Sequence, residues 1–283
     1  MNQTLSTYGN ERRIDGLRVG DVRPAAWSHI RILGSVQMID QHGRAHDVAS
    51  ATQRRLLAFL ALRAGETVRS EVLSEHLDLS AGALRTMVSR VRRTIGEHAV
   101  VTTSVGYRFE ARVDANLFNQ LLSEARTSPD RLAAYDRALA LWRGEVLDEF
   151  RHECWAMGAV ARLDGLRSGV VEDRVSELIS RRRFDDAIAS LETHIAENPL
   201  RDRARGQLME ALAADGRQTD ALRAYQRYRL FLAEEAGTEP SAEVQELERR
   251  IVRGVTAKRR VRLAHCPDSV TRSGRRPLVM LRA

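Results

Sequence analysis

The stretch Leu84–Phe109, LRTMVSRVRRTIGEHAVVTTSVGYRF, restricts this chain more than any other. Leu84, Val88, Val91 and Ile95 recur at spacings of four, three and four, the period that puts apolar side chains on one side of an α-helix. Ser80 is the expected N-cap and Gly96 the stop, so a helix is predicted from Ser80 to Ile95. Opposite the stripe lie Gly82, Thr86, Ser89 and Arg93, flanked by Arg85 and Arg90. No acidic residue occurs between Ser80 and Gly96. Solvated helix faces ordinarily mix signs to gain i,i+4 pairs, so an acid-free face is either merely solvated or kept for an anion. Val100–Thr103 and Tyr107–Phe109 then read as strands around Ser104, Val105 and Gly106. Gly106 is expected to permit the turn backbone, with Arg108 on the returning strand.

Charge is segregated in a way that favours the anion. Residues 50–113 carry 10 basic and 6 acidic groups, residues 114–253 carry 21 and 26, and residues 254–283 carry 8 and 1. A basic N-terminal region, an acidic middle and a basic tail fit a polyanionic partner better than uniform basicity would. Arginine richness alone would also raise the pI, since Lys258 is the single lysine among 45 basic residues. Double-stranded DNA suits the pattern geometrically: a basic helix enters the major groove while a hairpin crosses the minor groove.

The 283 residues suffice for two or three domains. Residues 1–29 lack periodicity and are expected to form a flexible leader. Ile30, Ile32, Val36 and Met38 alternate about Gly34 and Ser35 and predict two short strands, and Gln41–Arg44 predicts a second turn. Ala51–Arg63 is predicted helical, with Leu56, Leu57, Leu60 and Ala61 inward. Ser70 is expected to cap a short helix with Leu73 and Leu77 inward. Beyond Asp114 the pattern is helical throughout, with helices expected near 117–128, 131–142, 153–182, 184–197, 201–214, 217–235 and 241–253. The tail 254–283, with Arg259, Arg260, Arg262, Arg272, Arg275 and Arg276, is expected to be disordered, either adding non-specific DNA affinity or inert. The expected division is therefore 1–29, 30–113, 114–253 and 254–283.

An internal repeat lies in the helical block. Phe184-Asp185-Asp186-Ala187-Ile188 matches Gln218-Thr219-Asp220-Ala221-Leu222 at a shift of 34, the tetratricopeptide period. Ala187 and Ala221 are the small residues at close helix approach, Leu191 and Tyr225 take the next inward position, and Pro199 falls where such a repeat ends its second helix. His194 departs, because a small residue is expected there. Such arrays present binding surfaces rather than catalytic centres.

These segments carry a resemblance. Residues 30–113, through LRTMVSRVRRTIG and VVTTSVGYRF, resemble an OmpR/PhoB-type winged helix. Followed in order by VDANLF, ALALWRGEVLDEF, RRRFDDAIASLETHIAENPLRDRARGQLMEALAADGRQTDALRAYQRYR and EAGTEPSAEVQELERRI, the chain resembles the SARP/AfsR-type transcriptional activators. The fold class so implied is mainly α: an N-terminal winged helix-turn-helix with short β-sheets, then an all-α tetratricopeptide-like domain, the bacterial transcriptional activation domain. By the resemblance, 80–96 is the recognition helix and 99–110 the wing. Thr86, Ser89 and Arg93 would reach base edges. Arg85 and Arg90 would serve bases or phosphates, Arg92 would hold a phosphate or an internal acid, and Ser104 and Arg108 would meet the DNA backbone or minor groove. The family further implies activation of antibiotic-cluster promoters through tandem direct repeats, a homodimer or tandem pair on DNA, and recruitment of RNA polymerase holoenzyme through its sigma factor.

No cofactor is expected. Lys258 sits in an arginine run rather than a Gly-rich loop, so the ATPase module of larger relatives is not expected, and about 29 leading residues would not hold a receiver domain. His152, Cys154, His265 and Cys266 lack the spacing of a metal site. Nucleophile-elbow, HExxH and dinucleotide motifs are absent from the sequence, and Asp185-Asp186 reads as solvated charge, so an enzyme is not expected. Glu11, Arg12, Arg13 and Asp15 interrupt any leader-like run and no apolar run reaches membrane length, so a cytoplasmic protein without membrane association is expected. The competing class is a helical-repeat adaptor that binds protein only.

Overall fold

The computed structural model describes residues 27–40 and 42–264. It is mostly helical, with short antiparallel sheets at the N-terminal end. The expectations for the leader before Trp27 and for the tail beyond Ala264 lie outside the described residues.

Two compact units form, and they interleave along the chain. The first comprises the residues up to Asn116 together with Gly144–Met157, and the second Leu117–Arg143 with the residues from Gly158. By its contacts, Gly144–Met157 thus returns to the first unit.

In the first unit, β1 (Trp27–Arg31), β2 (Gln37–Asp40) and β3 (Ala45–Asp47) make an antiparallel sheet in that order. The Asp40 carboxylate accepts the amides of His42 and Arg44 at 2.8 and 2.9 Å and closes the second turn. Helix α1 (Ala51–Ala61) buries Leu56, Leu57, Phe59 and Leu60. Strand β4 (Thr67–Arg69) leads directly into α2 (Ser70–Leu77). Here an expectation is corrected: Ser70 is the first helical residue and makes no side-chain cap. Its amide instead donates to the Val105 carbonyl at 3.1 Å, so the hairpin backbone satisfies a group that a cap would otherwise serve. Helix α3 (Ala81–Ile95) follows, then β5 (Val100–Thr102) and β6 (Gly106–Phe109), with β6 between β4 and β5 in a second antiparallel sheet.

Asp114 is 2% exposed, and its carboxylate accepts the amides of Ile32 and Leu33 at 2.8 and 3.1 Å. It thereby satisfies donors in the β1–β2 turn that would otherwise be buried without partners. The Leu147 amide donates to the Ile32 carbonyl at 3.0 Å, and Leu147 itself is fully buried. Trp155 packs its ring 5.2 Å from Phe59, while Arg54 and Arg55 pair with Glu149 and Glu153 at 2.9 and 2.6 Å. These contacts are what join Gly144–Met157 to the first unit.

The second unit contains α4 (Asp114–Ala125) from Leu117 on, α5 (Arg131–Leu139), α6 (Cys154–Ser180) from Gly158 on, α7 (Phe184–Glu197), α8 (Asp202–Ala214), α9 (Gln218–Glu235) and α10 (Ala242–Ala264). Helix α8 packs against α7, α9 and α10. Ala187 and Ala221 are fully buried where the 34-residue repeat requires small side chains. Helix α10 runs to Ala264, so residues 254–264 are helical and the tail expected to be disordered from 254 begins with helix. His194 is buried, its Nε2 lying 3.7 Å from Glu172 Oε1. Glu172 is 1% exposed and is gripped by Arg201 at 2.5 and 3.0 Å, and its main-chain carbonyl accepts from Gln207 at 2.7 Å. Burial works to raise the Glu172 carboxyl, and the His194 ring with the Arg201 and Arg203 guanidiniums holds it down at about 2.

Candidate nucleic-acid interface

Helix α3 is oriented by its apolar seam. Leu84, Val88, Val91 and Ile95 are each 1% exposed, and Met87 joins them at 9%. The helix packs on α1, α2 and β5. Ser80 Oγ accepts from the Ala83 amide at 3.2 Å and caps the start. Gly96 at φ +102° ends it in a backbone conformation that other residues rarely adopt. Fifteen residues at about 1.5 Å each give a rod of roughly 22 Å.

With the seam inward, the opposite face is open. Arg85, Thr86, Ser89, Arg90 and Arg93 are all exposed. No described residue provides Arg85, Arg90 or Arg93 with a hydrogen bond or an ion pair, so three guanidiniums face outward with their donors unused by the protein. Thr86 Oγ1 donates to the Gly82 carbonyl at 3.1 Å, which occupies its hydroxyl within the helix.

Arg92 behaves otherwise than expected. Its Nε donates to the Val100 carbonyl at 2.8 Å and its Nη2 to Thr102 Oγ1 at 2.7 Å. Its partner within the protein is β5 and not an internal acid, and it ties α3 to the hairpin. Arg108 has a partner within the protein. It is half-exposed on β6, but its Nε donates to Glu110 Oε1 in a close ion pair. Its charge is shared with a carboxylate two residues on, an exposed pair of the kind that contributes little and exchanges readily. Ser104 stands exposed at the hairpin tip beside Val105, itself 53% exposed.

Gly106 has a different reason to be glycine than the turn. Its φ is not in the left-handed region, but a Cβ there would lie 2.0 Å from the Val68 carbonyl oxygen and 2.8 Å from Arg69 Cα. The hairpin returns so close to β4 that only a hydrogen fits. Among residues the sequence did not single out, Glu110 was the legible one, since positions 108 and 110 share a face of a strand. Thr102 and Val105 carried no comparable signal.

Comparison with known proteins adds the family. Residues 113–252 match the family described as Bacterial transcriptional activator domain. Regulatory protein DnrI of Streptomyces peucetius is 30% identical over 227 residues, covering 71% of this chain and 83% of that protein. Transcriptional regulator RedD of Streptomyces coelicolor is 32% identical over 235 residues, covering 75% and 67%. The chain belongs to the SARP/AfsR-type regulator family. This SARP-type chain also aligns with regulatory protein AfsR of Streptomyces griseus at 33% identity over 219 residues, 72% of the chain but only 22% of that protein. It therefore spans about a quarter of the AfsR regulators it matches. A solved structure of Mycobacterium tuberculosis EmbR with a phosphopeptide superposes at TM-score 0.71 and 24% identity, over 85% of this chain and 71% of that one, which is a likeness of fold. No helix among the described residues is long and apolar enough to cross a membrane.

Proposed function

We propose that this SARP-type chain is a sequence-specific DNA-binding transcriptional activator of a secondary-metabolite gene cluster, an antibiotic cluster by family. The observation that carries the reading is the exposed face of α3, where Arg85, Arg90 and Arg93 stand without protein partners on a helix free of acidic residues. In the major groove Arg93, with Thr86 and Ser89, meets base edges, and Arg85 and Arg90 meet bases or phosphates. A bidentate Arg–guanine pair contributes about 1–3 kcal/mol of discrimination. Ser104 at the hairpin tip, and Arg108 on exchanging Glu110 for the duplex, meet the DNA backbone or minor groove. Phosphate contacts supply affinity and the base contacts supply choice.

By family, the sites are tandem direct repeats beside a promoter, occupied by a homodimer or a head-to-tail pair. The acidic helical unit then contacts RNA polymerase holoenzyme, its sigma factor included, and the protein works in the cytoplasm without a cofactor or a catalytic step. Footprinting on promoters neighbouring the gene tests this: a protected pair of direct repeats is expected. Indifference between those promoters and scrambled duplex would instead favour a protein-only helical adaptor.

A further inference from the structure

A groove of about 710 Å³ crosses the outer side of α7, α8 and α9, wholly inside the helical unit. Its floor is apolar. Leu208 and Leu212 come from α8, and Leu222 and Leu230 from α9. Leu222, Gln226 and Leu230 are four residues apart, so they form one stripe of about 12 Å, two helical turns. Leu230 is 64% exposed, the most exposed large hydrophobic side chain among the described residues. A lone exposed leucine is ordinary, but Leu230 lines the same groove as Leu208, Leu212 and Leu222 and so extends its apolar lining.

The rim is basic within an otherwise acidic region. Arg217 and Arg223 both converge on Asp220, at 3.1 and 3.6 Å, so one carboxylate serves two guanidiniums. Arg227 has no hydrogen bond or ion pair with any described residue. With Glu192 opposite, three guanidiniums face two carboxylates, whereas residues 114–253 as a whole carry 21 basic and 26 acidic groups. We infer that this groove docks a short amphipathic helix from a partner protein, with leucine-like side chains four apart entering the floor and an acidic edge meeting Arg223 and Arg227. This is the helix-in-groove mode of recognition, and it is independent of the DNA-binding reading because it uses another unit and needs no DNA.

Fluorescence anisotropy of the full chain with a labelled synthetic helix, leucines four apart on one side and glutamates along one edge, reads the affinity. Saturable binding is expected, weakened about tenfold by Arg227→Glu and separately by Leu230→Ser. Leu200→Ser, another exposed leucine but outside the groove, leaves binding unchanged. Matching thermal melts show that all three variants fold. The same helix with lysines for glutamates binds at least about tenfold more weakly. Lack of saturable binding, equal affinity for the lysine form, or equal loss in Leu200→Ser overturns the inference. So does a concentration-dependent dimer that Leu230→Ser abolishes, since that assigns the groove to a second copy.

Discussion

Arg93 and Arg108 are both arginines facing outward from the same unit, yet they differ in what they have left to give. Arg93 has no protein partner, while Arg108 is held by Glu110. Arg93→Ala should therefore reduce the preference for a cognate over a scrambled site by about 1–3 kcal/mol, read by competition binding at fixed salt. Unchanged discrimination would remove it from base readout. Glu110→Gln should strengthen binding to any duplex and steepen the fall of affinity with salt, because it releases Arg108 for a phosphate. An unaltered salt slope would mean that the hairpin stays clear of the backbone. At this scale the basic face of α3 was legible from spacing alone. The pairing of Arg92 with Val100 and Thr102 was not, because it joins groups on elements whose approach no local pattern encodes.

Among the elements, α3 and the β5–β6 hairpin are fixed by complementary means. The helix is seated by its apolar seam and its Ser80 cap, and the hairpin by the close approach of Gly106 to β4. Gly106→Ala drives a methyl into the Val68 carbonyl and should cost at least about 2–3 kcal/mol of stability, seen as a lowered melting temperature. A wild-type melt would show that β4 can yield. Asp114→Ala leaves the Ile32 and Leu33 amides without that acceptor in a buried turn and should cost a similar amount, about 2–3 kcal/mol. Strands β3 and β4 escaped the sequence reading because three residues are too few to display a period. Helices α6 to α9 were legible nearly to their ends: α7 stops at Asn198-Pro199, and Gly216 and Gly237 follow the ends of α8 and α9. Helix α10 outran its expected end at 253 because it continues through Gly254, which weakens a helix without ending it when helix-compatible residues follow.

For the whole molecule, acid stability is set in part by Glu172. Its carboxyl is held at about 2 in the folded chain against an ordinary value of 4.5. A depressed folded value means that its contribution is complete above about pH 4.5 and is lost as pH falls toward 2. Denaturant melts across that window should show stability declining with acid, and Glu172→Gln should flatten the decline while lowering stability near neutrality. A slope unchanged by the substitution would shift the effect to other carboxylates.

The sequence by itself determined the repeat of 34, the helical order and the side on which α3 keeps its arginines, since periodicity and charge are local properties that a helix converts directly into faces. Only the tertiary structure decided which of those charges remain free, that Gly144–Met157 returns to the N-terminal unit, and that a groove opens over Leu208, Leu212 and Leu230. Each of these depends on groups distant in sequence meeting in space, and the free energy that selects such meetings comes from burial and pairing across elements, which no single segment contains.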